Sequence, residues 1–199
     1  MKRLFKSVIF ALTFCFILML VPFEGQCREI SDKVFRVHIL ANSDSEADQK
    51  LKLRVRDALV NAGEEILKDV DSKEEAERLI EKNIPKLKSI AENVVFQNGY
   101  DYPVDLEITN MYFDTRHYGN ITMPGGFYDA LRVKIGKAEG KNWWCVMFPS
   151  LCIYSVSKTE TLEENLSDGE YKIISSKNEY QYRFKIVEIF TGICNFFKG

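Results

Sequence analysis

Hydrophobic residues recur along this chain with two different periods, and their order constrains the fold more than the composition does. In residues 34–41, Phe35, Val37 and Ile39 alternate with Arg36 and His38, and a period of two is typical of a half-buried strand. The apolar spacing changes to three and four over residues 45–68 and again over residues 72–97, which predicts two amphipathic helices. Strands and helices in this order predict a fold of the α+β class.

Both predicted helices begin with a capping pattern. Ser45 stands three residues before Asp48, and Ser72 stands three residues before Glu75, a spacing that satisfies backbone N–H groups at a helix N-terminus. Pro85 interrupts the second helical pattern and removes one backbone donor, so we expect a kink or a restart near Asn83.

The period of two returns after the helices and predicts four more strands. They fall at residues 104–109, 131–135, 142–148 and 180–187. The turn from Gly136 to Gly140 predicts a hairpin between the third and fourth strands of the chain, and the glycine-rich segment 118–128 predicts an irregular loop. We therefore expect a two-layer α+β domain over residues 28–199, in which a mostly antiparallel sheet has one wet face and packs its other face against a helical hairpin.

A basic and then apolar segment opens the chain. Lys2, Arg3 and Lys6 precede the uncharged run 7–23, which predicts an N-terminal signal helix for export. The run is somewhat long for a cleaved signal peptide and a little short for a membrane span, so residues 1–27 are read as a signal peptide or a signal anchor. Small residues at Gly25 and Cys27 favour cleavage. Without residues 1–27 the chain keeps 24 basic and 28 acidic residues, a mildly acidic balance.

Charge and motifs exclude several classes of function. The 27 basic and 29 acidic residues of the chain nearly cancel, so no basic field favours nucleic acid. The stretch that begins at Asn42 has Ala47 where a calcium loop needs glycine and Leu53 where it needs a bidentate glutamate. The chain also contains no HExxH or GxSxG motif, so we expect no metal, no cofactor and no classical hydrolase. A thiol nucleophile formed by Cys145 and His117 stays open as an alternative, although the apolar strand around Cys145 favours an inert thiol.

Cys145 and Cys152 flank a segment that contains Pro149 and Ser150, two residues that favour a turn. A turn there would bring the two sulfur atoms together, and a disulfide is compatible with an exported chain. A disulfide and two buried free thiols both remain open.

Three segments resemble the stage II sporulation protein R family. They read HILANSDSEADQKLKLRVRDAL at residues 38–59, YGNITMPGGFYDALRVKIGKAEGKNWWCVMFPSLC at 118–152 and YRFKIVE at 182–188. Two residues depart from the family pattern. Lys141 stands where a histidine is expected, and Ser150 stands where a second proline is usual.

The resemblance implies a signalling protein, not an enzyme, that the forespore exports into the space between the septal membranes. Its partner would be a membrane-embedded aspartic protease of the stage II sporulation GA type, which then processes pro-sigma-E in the mother cell, with no small-molecule substrate and no nucleic acid involved. Two other classes remain as alternatives. One is an exported cysteine-dependent envelope hydrolase or transferase, and the other is a structural protein of the septal membranes with its leader retained.

Exposed aromatic side chains often mark interfaces, so aromatic and glycine residues form the first predicted contact group. The residues of this group are Tyr118, Gly119, Gly126, Phe127, Trp143 and Trp144. A second group comprises Asn42 and Asp44 from the segment 42–48, together with Arg54, Arg56 and Asp57.

Overall fold

The computed structural model describes residues 2–149, 165–175, 180, 184–186 and 188, with the backbone alone for residue 2 and residues 12–22. The chain divides into two compact units. Unit 1 comprises Met1–Ser31, Tyr112–Gly126 and Asp168–Gly199, and unit 2 comprises Asp32–Met111 and Phe127–Ser167. Each unit is described by itself, and the single domain expected over residues 28–199 stays a prediction.

Five helices and six strands have both their ends among the described residues. The helices are α1 (Lys2–Asp32), α2 (Glu46–Ile66), α3 (Lys73–Lys82), α4 (Ile84–Gln97) and α5 (Asp168–Ser175). The strands are β1 (Phe35–Leu40), β2 (Val104–Phe113), β3 (Arg116–Tyr118), β4 (Ile121–Met123), β5 (Gly126–Ile135) and β6 (Asn142–Phe148).

The main sheet has the order β2-β5-β1-β6. Strand β1 pairs in parallel with β5 and antiparallel with β6, so β1 lies between the two strands that were expected to form a hairpin. The predicted hairpin across Gly136–Gly140 is therefore wrong. Its turn instead carries the chain over the end of β1, and hydrogen bonds to that end replace the contacts of a hairpin.

Strands β2 and β5 run in opposite directions, as their side-chain pairs show. Lys134 of β5 contacts Asp105 of β2, while Asp129, earlier in β5, accepts a hydrogen bond from Asn110, later in β2. Two of the three strand pairs are thus antiparallel and one is parallel, which makes the sheet mixed although mostly antiparallel.

Helices α2 and α3 begin as the capping patterns predict. The Ser45 hydroxyl accepts a hydrogen bond from the Asp48 amide at 3.1 Å, and the Ser72 hydroxyl accepts one from the Glu75 amide at 3.2 Å. Asn83 separates α3 from α4, and Pro85 lies in the first turn of α4. Proline is tolerated there because the first amides of a helix have no intrahelical partner, so the predicted restart near Asn83 is confirmed.

Helices α2 and α3 cover one face of the main sheet. Along α2, Lys52 donates to the Lys141 carbonyl just before β6, and a Cβ added at Gly63 would lie 3.3 Å from Met147 near the end of β6. The first residue of α3, Lys73, forms an ion pair with Asp129 of β5 at 2.5 Å. The expected layer of helices against a sheet is therefore present.

The opposite face of the sheet is buried at β1, so the expectation of a solvent-exposed face is wrong there. Arg36 and His38 are 0% and 3% exposed. The Arg36 guanidinium lies 4.9 Å from the centre of the Tyr128 ring, and its Nε donates to the Cys145 carbonyl at 3.5 Å. Alternation reports which side chains share a face, but an interior strand flanked by two others can bury both faces.

In unit 1, β3 and β4 form an antiparallel hairpin where an irregular loop was expected. Gly119 has a φ of +60° in its two-residue turn, a conformation that favours glycine. Each of these strands has three residues, too few for a detectable period.

The fifth strand predicted at residues 180–187 is wrong where the structure describes it. Residues 184–186 are helical, and the Phe184 amide donates to the Tyr180 carbonyl at 2.9 Å, four residues earlier. Tyr182 and Val187 lie outside the described residues. The apolar residues Tyr180 and Phe184 are separated by four positions, which also fits one face of a helix.

Helix α1 runs without interruption from Lys2 to Asp32. Its last third carries buried side chains at Phe23, Cys27 and Ile30, whereas Phe10 is 74% exposed. In the part of the chain that the structure describes, no helix combines the length and hydropathy required to cross a membrane.

Candidate functional site

Asp48 is the centre of a polar cluster at the start of α2. Its carboxylate is 4% exposed and accepts hydrogen bonds from Asn42 Nδ2 at 2.8 Å and from Ser43 Oγ at 2.5 Å. Burial alone would raise the pKa of Asp48, but hydrogen bonds from Ser43, Asn42 and Tyr102 outweigh burial and lower that pKa below its ordinary value. The cluster therefore holds a charged carboxylate in a fixed position.

The segment 41–48 is tied to the segment 136–141, and we call the two segments together the loop clamp. Asn42 Oδ1 accepts a hydrogen bond from the Lys137 amide at 3.0 Å, and Asp44 Oδ1 accepts one from the Lys141 amide at 2.6 Å. The Gly140 amide also donates to the Ala41 carbonyl at 2.9 Å. Asn42 and Asp44, both predicted contact residues, thus spend part of their hydrogen-bonding capacity inside the molecule.

Two glycines allow the close approach within the loop clamp. A Cβ at Gly140 would lie 2.2 Å from the Ser43 carbonyl oxygen, and Gly136, at a φ of +59°, would place a Cβ 2.3 Å from Asn42 Oδ1. Neither distance is compatible with a larger residue. The clamp ends one residue before β6 and so fixes where Asn142 and Trp143 begin the strand.

Trp143 lies on the helix-covered side of the sheet, beneath Arg56 of α2. The Arg56 guanidinium carbon lies 5.3 Å from the centre of the Trp143 ring, a cation–π distance. The guanidinium also forms an ion pair with Asp57 at 2.6 Å, in which the Arg56 and Asp57 side chains are 26% and 62% exposed. We call Arg56, Asp57 and Trp143 the helix-side patch, because the structure brings these three predicted residues together.

Trp144 points to the other side of β6 and stacks on His38. Their ring centres are 3.7 Å apart and the planes differ by 6°. Burial lowers the pKa of His38 to about 4, with a further lowering by the nearby Arg132, although a hydrogen bond with Asn142 raises it. His38 is therefore neutral at physiological pH and serves as an aromatic packing surface.

Arg54 does not belong to the helix-side patch. It lines a separate cleft of about 390 Å³ between the start of α2 and the end of α4, together with Lys50, Asn98 and Tyr100. Positions 54 and 56 are two apart on a helix and so face different directions.

The remaining predicted contact residues lie around the hairpin of unit 1 and the start of β5. Tyr118 and Gly119 end β3 and form its turn, and Gly126 begins β5. Phe127 follows as the first residue of unit 2 after the hairpin and is 50% exposed, which fits a contact residue.

The alternative thiol nucleophile lacks access to solvent. Cys145 is 3% exposed and lies opposite Val37 in the sheet. His117 is exposed on the hairpin, where its Nδ1 lies 2.9 Å from Thr122 Oγ1. Cys152 lies outside the described residues, so its disulfide with Cys145 stays a prediction. Within the described ranges, no group of three potential metal ligands was found.

These features define an α+β domain with a mixed sheet, a polar loop clamp and a partly exposed patch of tryptophan, arginine and aspartate. The sequence model of the family described as Stage II sporulation protein R (spore_II_R) matches residues 31–158, which is more than half of the chain and includes both the clamp and the helix-side patch. The chain belongs to the Stage II sporulation protein R family.

One relative is Stage II sporulation protein R of Bacillus subtilis (strain 168), which is 39% identical over 141 residues. The match covers 71% of this chain and 63% of the relative, so the chain spans less than two thirds of the length of the curated relative. No solved structure matches this chain. Family and relative identify a sporulation protein, and the name of the relative describes no enzyme.

Proposed function

We propose that this chain is a signalling protein exported from the forespore, and that it activates a membrane-embedded aspartic protease of the stage II sporulation GA type across the septum. The activated protease would then process pro-sigma-E in the mother cell. Family membership supports the role in sporulation, and the basic and then apolar N-terminal segment supports export. The chain itself would make or break no bond.

The helix-side patch is the observation that carries a binding role. Tryptophan and arginine are the residues most enriched at interface positions that dominate affinity. Here the Arg56 side chain is 26% exposed and is held in place by Asp57 and Trp143. Because the loop clamp fixes the start of β6, the patch is ordered before a partner arrives, which lowers the entropic cost of binding.

The electrostatics of the patch indicate the surface that it fits. Asp57 already balances the charge of Arg56, so the patch as a whole has little net charge. It presents a planar guanidinium that lies over an indole ring. Such a surface suits apolar or aromatic side chains bordered by carbonyl or carboxylate acceptors. Activation then requires that this contact be stronger in the active state of the protease than in its inactive state.

The test is co-expression of the chain with the protease and pro-sigma-E in a cell that does not sporulate, with precursor cleavage as the readout. The unaltered chain is expected to trigger cleavage, and W143A to reduce it at least tenfold at equal export. F96A is the matched control, because Phe96 is an aromatic residue on α4 with 77% exposure. Absence of cleavage with the unaltered chain, while the protease is present and folded, would refute the proposal.

A separate variant distinguishes the proposed signal from a cysteine-dependent hydrolase. Because Cys145 is buried between β1 and the helix layer, C145S is expected to retain precursor cleavage in the same cells. A complete loss of cleavage by a C145S chain that is exported and folded would instead favour a thiol nucleophile.

A further inference from the structure

The last third of α1 is part of the packed interior of unit 1. Phe23, Cys27 and Ile30 are 2%, 5% and 0% exposed. These positions are spaced by four and three residues and therefore lie on one face of the helix. Glu24, Gly25 and Gln26 between them are exposed, so the segment is amphipathic in the way that a helix of a folded domain is.

Aromatic contacts hold this face in unit 1. The Phe23 ring stacks on Tyr180 with ring centres 5.8 Å apart and planes 5° apart, and it contacts Phe184 at 5.3 Å. Phe184 is itself 2% exposed. Burial, with a smaller contribution from Glu24, raises the pKa of the Cys27 thiol to about 12, which agrees with a position inside the unit.

We propose that the folded protein keeps α1 from Phe23 onward and that a peptidase cut between Gly25 and Arg28 does not produce the functional chain. A cut after Cys27, the position that the small residues favour, would remove two of the three buried side chains of this face. Of the three, only Ile30 would remain, and the contacts of Phe23 with Tyr180 and Phe184 would be lost. A cut before Phe23 leaves the face intact and is compatible with the inference.

The conformation of the segment supports the same conclusion. Residues 24–28 are helical, and peptidases cleave segments that open out of regular structure. Once unit 1 has folded, opening α1 at this point would expose Phe23 and Cys27 to water, so the bond after Cys27 is protected from peptidases that meet the folded chain. This inference does not depend on the proposed function, because it concerns only which residues the mature chain retains.

The direct test is the N-terminus of the exported chain. The full-length chain with a C-terminal affinity tag is expressed in an endospore-forming bacterium, purified from the exported fraction, and analysed by N-terminal sequencing and intact mass. The expected N-terminus lies at or before Phe23. A folded, exported chain that begins anywhere from Glu24 to Arg28 or later overturns the proposal.

A pair of variants tests the packing independently of processing. F23A in the full chain is expected to lower the midpoint of thermal unfolding by about 6–15 °C, because a buried phenylalanine is lost. F10A is the matched control on the same helix, since Phe10 is 74% exposed, and its midpoint should stay within about 1 °C of the unaltered chain. F23L is expected to recover at least half of the loss. Equal midpoints for F23A and F10A would contradict the proposal.

Discussion

Trp143 and Trp144 are neighbours in β6, yet the structure places them in two different environments. Trp143 faces the helix layer, where it supports Arg56 at a partly exposed surface. Trp144 faces the other way and stacks on His38, which is 3% exposed. Because successive side chains of a strand point to opposite faces, the two rings have different partners: Trp143 lies beneath the Arg56 guanidinium, whereas Trp144 covers the buried His38 ring.

Both tryptophans are partly exposed, so the difference between them lies in what each ring contacts. On the Trp143 side, the polar groups are satisfied by one another and remain near solvent. On the Trp144 side, a titratable ring is kept neutral by burial. Replacing Trp144 should therefore mainly change the free energy of unfolding, and replacing Trp143 should mainly change binding.

W144A should have the largest effect, lowering the free energy of unfolding by about 2–3 kcal/mol, because it removes a large aromatic side chain and its stack on His38. Urea unfolding followed by far-ultraviolet circular dichroism measures the change. W144F should retain more than half of the stability. The contrast between the two tryptophans would fail if W144A proved no less stable than W143A.

The second largest effect should be a loss of stability at acid pH that is due to His38. Its pKa is about 4 in the folded chain and near 6.5 in an unfolded one, so between these values the unfolded chain binds a proton that the folded chain does not. Stability should therefore fall by about 2 kcal/mol from pH 7 to pH 5 through His38 alone.

Variants of the two histidines isolate this contribution. In urea unfolding at pH 7 and pH 5, H38F should remove the His38 contribution and keep a ring against Trp144. H117Q, at an exposed position of the hairpin, is the matched histidine variant, and H38F should reduce the pH dependence more than H117Q does. An unchanged pH dependence in H38F would show that His38 is not the group involved.

W143A should cost about 1 kcal/mol of stability, because the ring is half-buried and its main partner is a partly exposed guanidinium. Its effect on precursor cleavage should be much larger than on the free energy of unfolding. Measuring both quantities for W143A and W144A separates binding from folding. A W143A chain with normal cleavage would remove the helix-side patch from the contact surface.

R56K is expected to have the smallest effect, about 0.5 kcal/mol on stability. Lysine keeps the charge beside Asp57 but loses the flat guanidinium over the indole. Precursor cleavage should fall about twofold, since the planar stack contributes only about this much at a half-exposed site. R54K on the same helix should change neither quantity. A larger effect of R54K than of R56K would move the contact surface to the cleft at the start of α2.

The sequence predicts the local structure of this chain well and the pairing of its strands poorly. Periodicity locates α2 and the strands β1, β2, β5 and β6, because each period reflects the local backbone, and Pro85 locates the break at Asn83. It does not report which strand lies beside which. Placing β1 between β5 and β6 depends on contacts between residues about 100 positions apart, and no local pattern contains them.

The candidate site shows the same limit. The caps at Ser45 and Ser72 follow from residue type and spacing, but the bonds from Asn42 and Asp44 to segment 136–141 do not. Arg36 and His38 were expected on a wet face because they are polar. Tyr128 and Trp144 bury them instead, and aromatic rings that accept a guanidinium or an imidazole are visible only after the strands are paired.

The order of the strands has a consequence for how the chain acquires its structure. Arg36 pairs with Ala130, roughly 90 residues further along, so β1 emerges from the ribosome long before either of its neighbours exists. Helices α2 to α4 can form early, but the sheet assembles only after β5 and β6 have been synthesised, and such long-range pairing is slow. The proposed export would benefit from this delay, because a chain crosses a translocation channel unfolded and the most extensive tertiary structure is the last to form.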